Sequence, residues 1–234
     1  MSLVVCLEAD KAIILGADSR GTVGDPRGLT AIKDTERKIF PMGNCGLGVC
    51  GASEIGRTLL DELMRPGVEN LTSIDSALSR VAKAAEKWFE EWFRNAKPED
   101  RVPLMLTLAG YRKPKPPRHP EAKSMIYLLN SQQNFAPQLF SGICLSGIPQ
   151  YAVYLAHRYY HPGISVDRAK ALAEYLIAET ASQDPKVGGP IRMAEIASDT
   201  GYRELSDEEV KEIHEANEDI NTQLREFFLK GGVT

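Results

Sequence analysis

Residues 2–20, SLVVCLEADKAIILGADSR, constrain the fold more than any other stretch of the sequence. Leu3 to Leu7 is an unbroken apolar run, Glu8-Ala9-Asp10-Lys11 is polar, and Ala12 to Ala17 is apolar again. Two short apolar runs joined by a polar turn predict a β-hairpin. Neither run alternates, so both faces of both strands are expected to be covered. Centring the hairpin on the four polar residues sets Ser2 opposite Ala17 and Asp18 beside the first residues. Ser2 is small, so removal of Met1 is expected to leave a serine carrying both a hydroxyl and a free α-amine. A hydroxyl nucleophile with an N-terminal amine as its base is a workable catalytic pair, although Met-Ser is also an ordinary way for a chain to begin.

The 234 residues are read as one domain over residues 1–234, with 43% hydrophobic and 26% charged residues, enough for a substantial core. A net charge of -4 gives no support for nucleic-acid binding. No apolar run approaches the ~20 residues of a membrane span, and no basic segment followed by an apolar one marks a signal peptide. Cys6, Cys45, Cys50 and Cys144 sit in apolar, strand-like context without metal-ligand spacing. They predict reduced core thiols, no bound metal, no cofactor, and a cytoplasmic location.

Further along, Gly21 to Gly28 reads as a glycine-rich loop and Arg37-Lys38-Ile39-Phe40 as a strand ending at Pro41. Cys45 to Gly51 reads as a strand of small residues against which something packs closely. Ala52 to Met64 repeats apolar residues at helical spacing, and Arg65-Pro66-Gly67 stops it. Thr72 precedes Asp75 at capping-box spacing, and an aromatic-striped helix follows to about Ala96. Strands are expected over 102–111, 124–129, within 138–146, and over 191–196. Helices are expected over 149–160, 165–182 and, capped by Ser206, 207–229. Lys113 to Lys123, proline-rich and basic, is expected to be an exposed loop. Strand groups alternating with helix pairs, without a regular βαβ order, argue against a parallel sheet. They predict an α+β, four-layer α/β/β/α sandwich of two antiparallel sheets.

Together these landmarks resemble the proteasome β-type family of N-terminal-nucleophile (Ntn) hydrolases. The likeness lies in Ser2 with the hairpin ending Ala17-Asp18-Ser19-Arg20-Gly21-Thr22, in Arg37-Lys38-Ile39-Phe40, in Val49-Cys50-Gly51 before a helix, and in Ser146-Gly147-Ile148-Pro149 followed by Asp184 and Gly188-Gly189. The resemblance implies a peptidase acting on peptides or unfolded proteins. Ser2 would be the nucleophile and Lys38 a cation lowering the proton affinity of its amine. Asp18 would hold Lys38, and Gly51 would donate its N–H to an oxyanion. Ser146 and Asp184 would orient the amine. Thr22 and Gly51 would offer backbone bonds to an extended peptide, and Gly21 would lie beside the first specificity pocket. Val49 and Ser53, with Glu36 and Arg57, would border the first specificity pocket. It also implies a homo-oligomeric ring and an ATPase unfoldase as a partner.

The chain departs from the family pattern in Ser2 for threonine and Val187 for a serine. Its long Gly24–Ala31 loop and the 113–123 loop suggest an outlying bacterial or archaeal relative. Two other readings stay open: an Ntn amidohydrolase or peptide ligase with a narrow substrate, and a non-catalytic structural subunit.

Overall fold

A computed structural model of the chain describes residues 2–25, 28–114 and 121–229, with the side chains of 24, 25, 28–30 and 53 excluded. The expected loss of Met1 and most of the basic 113–123 loop therefore lie outside the described residues. The strands are β1 (Leu3–Glu8), β2 (Ala12–Ala17), β3 (Gly21–Asp25), β4 (Gly28–Lys33), β5 (Ile39–Met42), β6 (Cys45–Gly51), β7 (Leu104–Arg112), β8 (Lys123–Asn130), β9 (Gln138–Phe140), β10 (Ile143–Gly147), β11 (Arg192–Ala197) and β12 (Gly201–Glu204). The α-helices are α1 (Ser53–Leu63), α2 (Ile74–Trp92), α3 (Gln150–Tyr159), α4 (Val166–Gln183) and α5 (Asp207–Leu229).

One five-stranded sheet runs β10-β1-β2-β11-β12 and the other β5-β6-β7-β8-β9, with β3 and β4 paired apart. Every pairing is antiparallel. The unbroken apolar runs of β1 and β2 follow from their place in the first sheet. Leu3, Val5 and Leu7 face α3 and α4, packing with Ile14, Leu172 and Leu176. Val4 and Cys6 face the second sheet, packing with Ile13, Leu15, Ile39 and Ile126. A strand buried on both faces has no reason to alternate. On the far side α1 and α2 cover the second sheet through Ile55, Leu59, Ile74, Val81 and Phe89. The result is the α/β/β/α sandwich expected from the sequence.

The glycines of β6 are what let the sheets close together. A Cβ on Gly48 would lie 2.6 Å from Val4 Cγ1, and one on Gly46 would lie 2.7 Å from Ile196 Cδ1. The close approach read from the small-residue strand is therefore a sheet-to-sheet contact.

Several local expectations are corrected. Val4 pairs with Ala17 and Glu8 with Ile13, so the hairpin register is shifted two residues and Ser2 lies beyond Ala17. Glu8 is the last residue of β1, and its carboxylate accepts from the Gly142 N–H at 3.2 Å and from Ser124 Oγ. The glycine-rich loop is mostly the β3–β4 hairpin. Pro41 lies inside β5, where an edge strand tolerates its missing N–H. α2 starts with Ser73 rather than Thr72 at its N-cap, and Asp75 in its first turn forms a forked ion pair with Arg112, with Nη2 2.8 Å away. The stretch 138–146 is two strands in different sheets, because the chain turns at Gly142, whose φ is +79°. β12 has no counterpart in the sequence reading. Ser206 does cap α5: Glu209 N–H donates to its Oγ at 3.1 Å and its own N–H donates to Glu209 Oε2 at 2.8 Å, a reciprocal capping box.

Candidate active site

Ser2 sits where three elements converge. Its carbonyl accepts from the Ile148 N–H at 2.9 Å, so the turn after β10 holds its backbone. Gly147 carries φ +97°, and a Cβ there would lie 1.9 Å from the Ser2 carbonyl oxygen, which leaves glycine as the residue that fits. Ser2 is 6% exposed and lines a cavity of ≈ 350 Å³ together with Lys38, Cys50 and Gly51.

Asp18 and Lys38 form a buried ion pair beside this cavity, Nζ to Oδ1 at 2.8 Å. Asp18 also accepts from the Leu3 N–H at 3.0 Å, the Arg20 N–H at 3.1 Å and the Gly188 N–H at 3.1 Å. Lys38 Nζ donates to the Arg20 carbonyl at 2.7 Å. Burial pushes the Lys38 ammonium below its ordinary pKa, and the Asp18 carboxylate opposes that shift without cancelling it. Lys38 comes from the segment leading into β5, whose carbonyl accepts from the Val49 N–H of β6 at 2.8 Å. The two halves of the pair thus belong to different sheets.

Gly51 ends β6 with φ +103°, and a Cβ there would meet the Pro103 carbonyl oxygen at 2.0 Å. Along β6 the Val49 N–H points to the β5 side and the Ala52 N–H to the β7 side, donating to Pro103 at 2.9 Å. Antiparallel alternation turns the Gly51 N–H to the β5 side, just past the last ladder bond, where the cavity lies. The start of α1 is at the same place, adding the positive end of a helix. Ser146, 2% exposed, shares a hydrogen bond with Thr107 Oγ1 at 2.8 Å. The Cys50 thiol is pushed up to about 11 by burial, with a hydrogen bond from Ser146 pulling the other way. Cys6 is fully buried between the sheets, which removes it as a nucleophile.

Asp184 stands apart from these groups. Its Oδ1 accepts from the Lys186 N–H at 2.8 Å, shaping the turn that leads to Gly188, and it does not line the cavity. Val187 is fully buried against the first sheet's helices. Gly21, Thr22 and Val49 line the cavity, as do Glu36 and Arg57. Ser53 opens α1, and its side chain is outside the described residues.

Three features escaped the sequence reading. Arg20 makes a forked ion pair with Asp34, at 2.7 and 2.8 Å, and donates to the Pro185 carbonyl at 3.1 Å. It so clamps the loop that supplies the Gly188 N–H to Asp18. Thr107 and Cys50, read as plain strand residues, border Ser146. Phe40, Leu60 and Met64 add apolar side chains to the lining of the cavity. Only the i, i+4, i+8 spacing of Gly56, Leu60 and Met64 hinted at that wall. Among the described residues no group of three His, Cys, Asp or Glu side chains is placed to hold a metal ion, and no helix is long and apolar enough to cross a membrane.

The fold is thus an α/β/β/α sandwich of two antiparallel sheets, with a serine, a lysine–aspartate pair and a glycine turn gathered at one end of its facing sheets. Among solved structures the chain is similar to Anbu (ancestral beta-subunit) from Yersinia bercovieri, at a TM-score of 0.69 over 99% of this chain and 98% of that one, with 16% sequence identity. No protein-family model matches the sequence, and no curated protein matches it. The expected membership in the proteasome β-type family, as an outlying bacterial or archaeal peptidase, is corrected by these findings. At 16% identity the likeness reaches the fold and stops there.

Proposed function

We propose that this chain is an amide hydrolase acting on peptides, with Ser2 as an N-terminal nucleophile once Met1 is removed. The observation that carries the reading is a buried serine lining the same cavity as Lys38, an ammonium fixed by Asp18 at 2.8 Å. In the first step Ser2 Oγ attacks the substrate carbonyl carbon and its proton passes to the Ser2 α-amine, directly or through a water. A free α-amine titrates at about 7.7–8.0, near the pH at which a base is useful. Lys38, a cation near that amine, favours its neutral form. The carbonyl electrons move to oxygen, and the Gly51 N–H with the start of α1 stabilises the oxyanion. Collapse breaks the C–N bond, the amine returns its proton to the leaving nitrogen, and water then cleaves the Ser2 ester by the same route. Ser146 orients the amine, with Thr107 fixing its hydroxyl. Asp184 contributes by shaping the 184–188 turn. Thr22 and Gly21 give an extended substrate a strand edge.

The chain would work as a homo-oligomer in the cytoplasm. Exposed Tyr151 and Tyr154 on α3 and Phe227 and Phe228 on α5 are surfaces that assembly would cover. An ATPase unfoldase would be the partner that delivers folded substrates.

The test is intact mass before and after a β-lactone or epoxyketone probe. Loss of Met1 with one adduct mapped to Ser2 is expected, and a Ser2→Ala chain should take none. A retained Met1 without adduct would overturn the reading. Lys38→Ala should abolish turnover while the circular dichroism spectrum stays unchanged; turnover near wild type would remove Lys38 from the mechanism.

A further inference from the structure

We infer that the cavity beside Ser2 receives a large apolar side chain of the substrate and that Gly56 sets its depth, an inference that rests on the proposed role of Ser2. One wall is α1, which presents Ala52, Gly56, Leu60 and Met64 at four-residue intervals, a single helical stripe. The facing wall is Val49 from β6 and Phe40 from β5. At Gly56 the helix lies against β6, where a Cβ would stand 3.2 Å from Val49 Cγ1. A larger side chain at 56 would have to displace Val49 or take up space in the cavity that both residues line. The open-mouthed cavity of ≈ 350 Å³ is near the lower end of the ~300–1,000 Å³ of pockets that bury small ligands, which suits one bulky side chain.

The charges around the mouth are paired with one another. Glu36 Oε1 accepts from Lys33 Nζ at 2.7 Å, and Arg57 lies 3.4 Å from its other oxygen. The Lys33 hydrogen bond keeps the Glu36 carboxyl below its ordinary pKa. Arg37 lies over the Phe40 ring, donates to the Ile39 carbonyl at 2.9 Å and pairs with Glu204. An acidic or basic substrate side chain would have to displace these pairs, whereas an apolar one leaves them intact and gains burial against Phe40, Leu60 and Met64. Asp61, exposed on the outer turn of α1, makes a cationic side chain the competing occupant.

The experiment uses blocked tripeptide amides that differ in the residue before the scissile amide: Phe, Leu, Ala, Glu or Arg. Binding to the full-length Ser2→Ala chain is measured by titration calorimetry, alongside kcat/KM for the matching fluorogenic amides with wild type. Phe and Leu are expected to bind at least tenfold more tightly than Ala or Glu. Gly56→Leu should reduce the Phe-over-Ala ratio at least tenfold, and the milder Gly56→Ala should reduce it in the same direction. Tightest binding of Arg would overturn the inference in favour of a site governed by Asp61, and equal or absent binding would overturn it outright. An apolar binding preference without turnover would uphold the pocket and sink the nucleophile reading, so the two failures are distinguishable.

Discussion

Asp18 is buried with four donors around it: three backbone N–H groups and the Lys38 ammonium. A carboxylate so surrounded is a structural anchor as well as a site residue, because its loss leaves a buried cation unanswered. Asp18→Ala should therefore destabilise the fold by about 3 kcal/mol or more, measured by urea unfolding. A loss below about 1 kcal/mol would show that the pair is not structural. The proton chemistry of Lys38 has a definite sign. Its folded pKa lies below its unfolded value, so between the two the unfolded chain binds more protons and stability rises with pH. Wild type should gain stability relative to Lys38→Met as pH rises through the lowered value towards the ordinary lysine range near 10.4. A falling difference over that range would reverse the assignment. Gly147→Ala would put a Cβ 1.9 Å from the Ser2 carbonyl at φ +97°. Left-handed strain alone is about 1–3 kcal/mol, and the displaced Ser2 should also stop taking a covalent probe.

At the scale of elements, the least secured helix is α5. It packs on α4 and β11 yet buries only Val210 and Asn217. What holds it is polar. Glu174 of α4, fully buried, meets His214 Nδ1 at 2.6 Å and accepts from Asn217 Nδ2, while Asn217 also donates to the Ala171 carbonyl at 2.9 Å. Asn217→Ala strips a buried carboxylate of a partner and should cost about 1–3 kcal/mol. Hydrogen exchange should quicken throughout α5 while α4 stays protected, and unchanged exchange in α5 would show that apolar contacts suffice. A second tie joins α4 to β11, β12 and α5: Lys170 reaches Glu195 at 2.7 Å, and Arg203 reaches both Glu195 and Glu209, at 3.3 and 2.9 Å. Burial raises the Glu195 pKa, but the Lys170 and Arg203 bonds outweigh it and leave it lowered. Its stabilisation is thus complete above the ordinary glutamate range and is lost as pH falls through the lowered value. Thermal melts should show a fall below about pH 4.3 that Glu195→Gln diminishes.

At the scale of the whole molecule, the sheets enclose three apolar layers. One lies under α1 and α2, one between the sheets, and one under α3 and α4. The site lies where the middle layer ends, so Lys38 from one sheet and Asp18 from the other meet at its rim. Outside these layers large apolar side chains remain exposed, among them Tyr154 at 65% and Phe227 at 65%. Sedimentation of the native protein should therefore give a multiple of the 25.8 kDa chain mass. A monomer at micromolar concentration would remove assembly from the proposed function.

Sequence by itself determined the sandwich, because local signals carried it. Unbroken apolar runs in β1 and β2 demanded cover on both faces, helical spacing marked five helices, and Gly51 and Gly147 sat at the turns. Ser2, Asp18, Lys38 and Gly51 were grouped only through the family resemblance of their motifs, since they border β1, β2, β5 and β6 and no local signal joins strands so far apart. Tertiary structure alone decided the hairpin register, in which Glu8 finds partners at Ser124 and Gly142. It likewise decided the split of 138–146 between two sheets, the Arg20–Asp34 clamp on a loop more than 160 positions away, and the Phe40, Leu60 and Met64 lining of the cavity. Strand periodicity says which face a residue occupies and nothing about its neighbour across the fold. Partners far apart in sequence are chosen by the closing of the sheets, and the chemistry of this site is made of such partners.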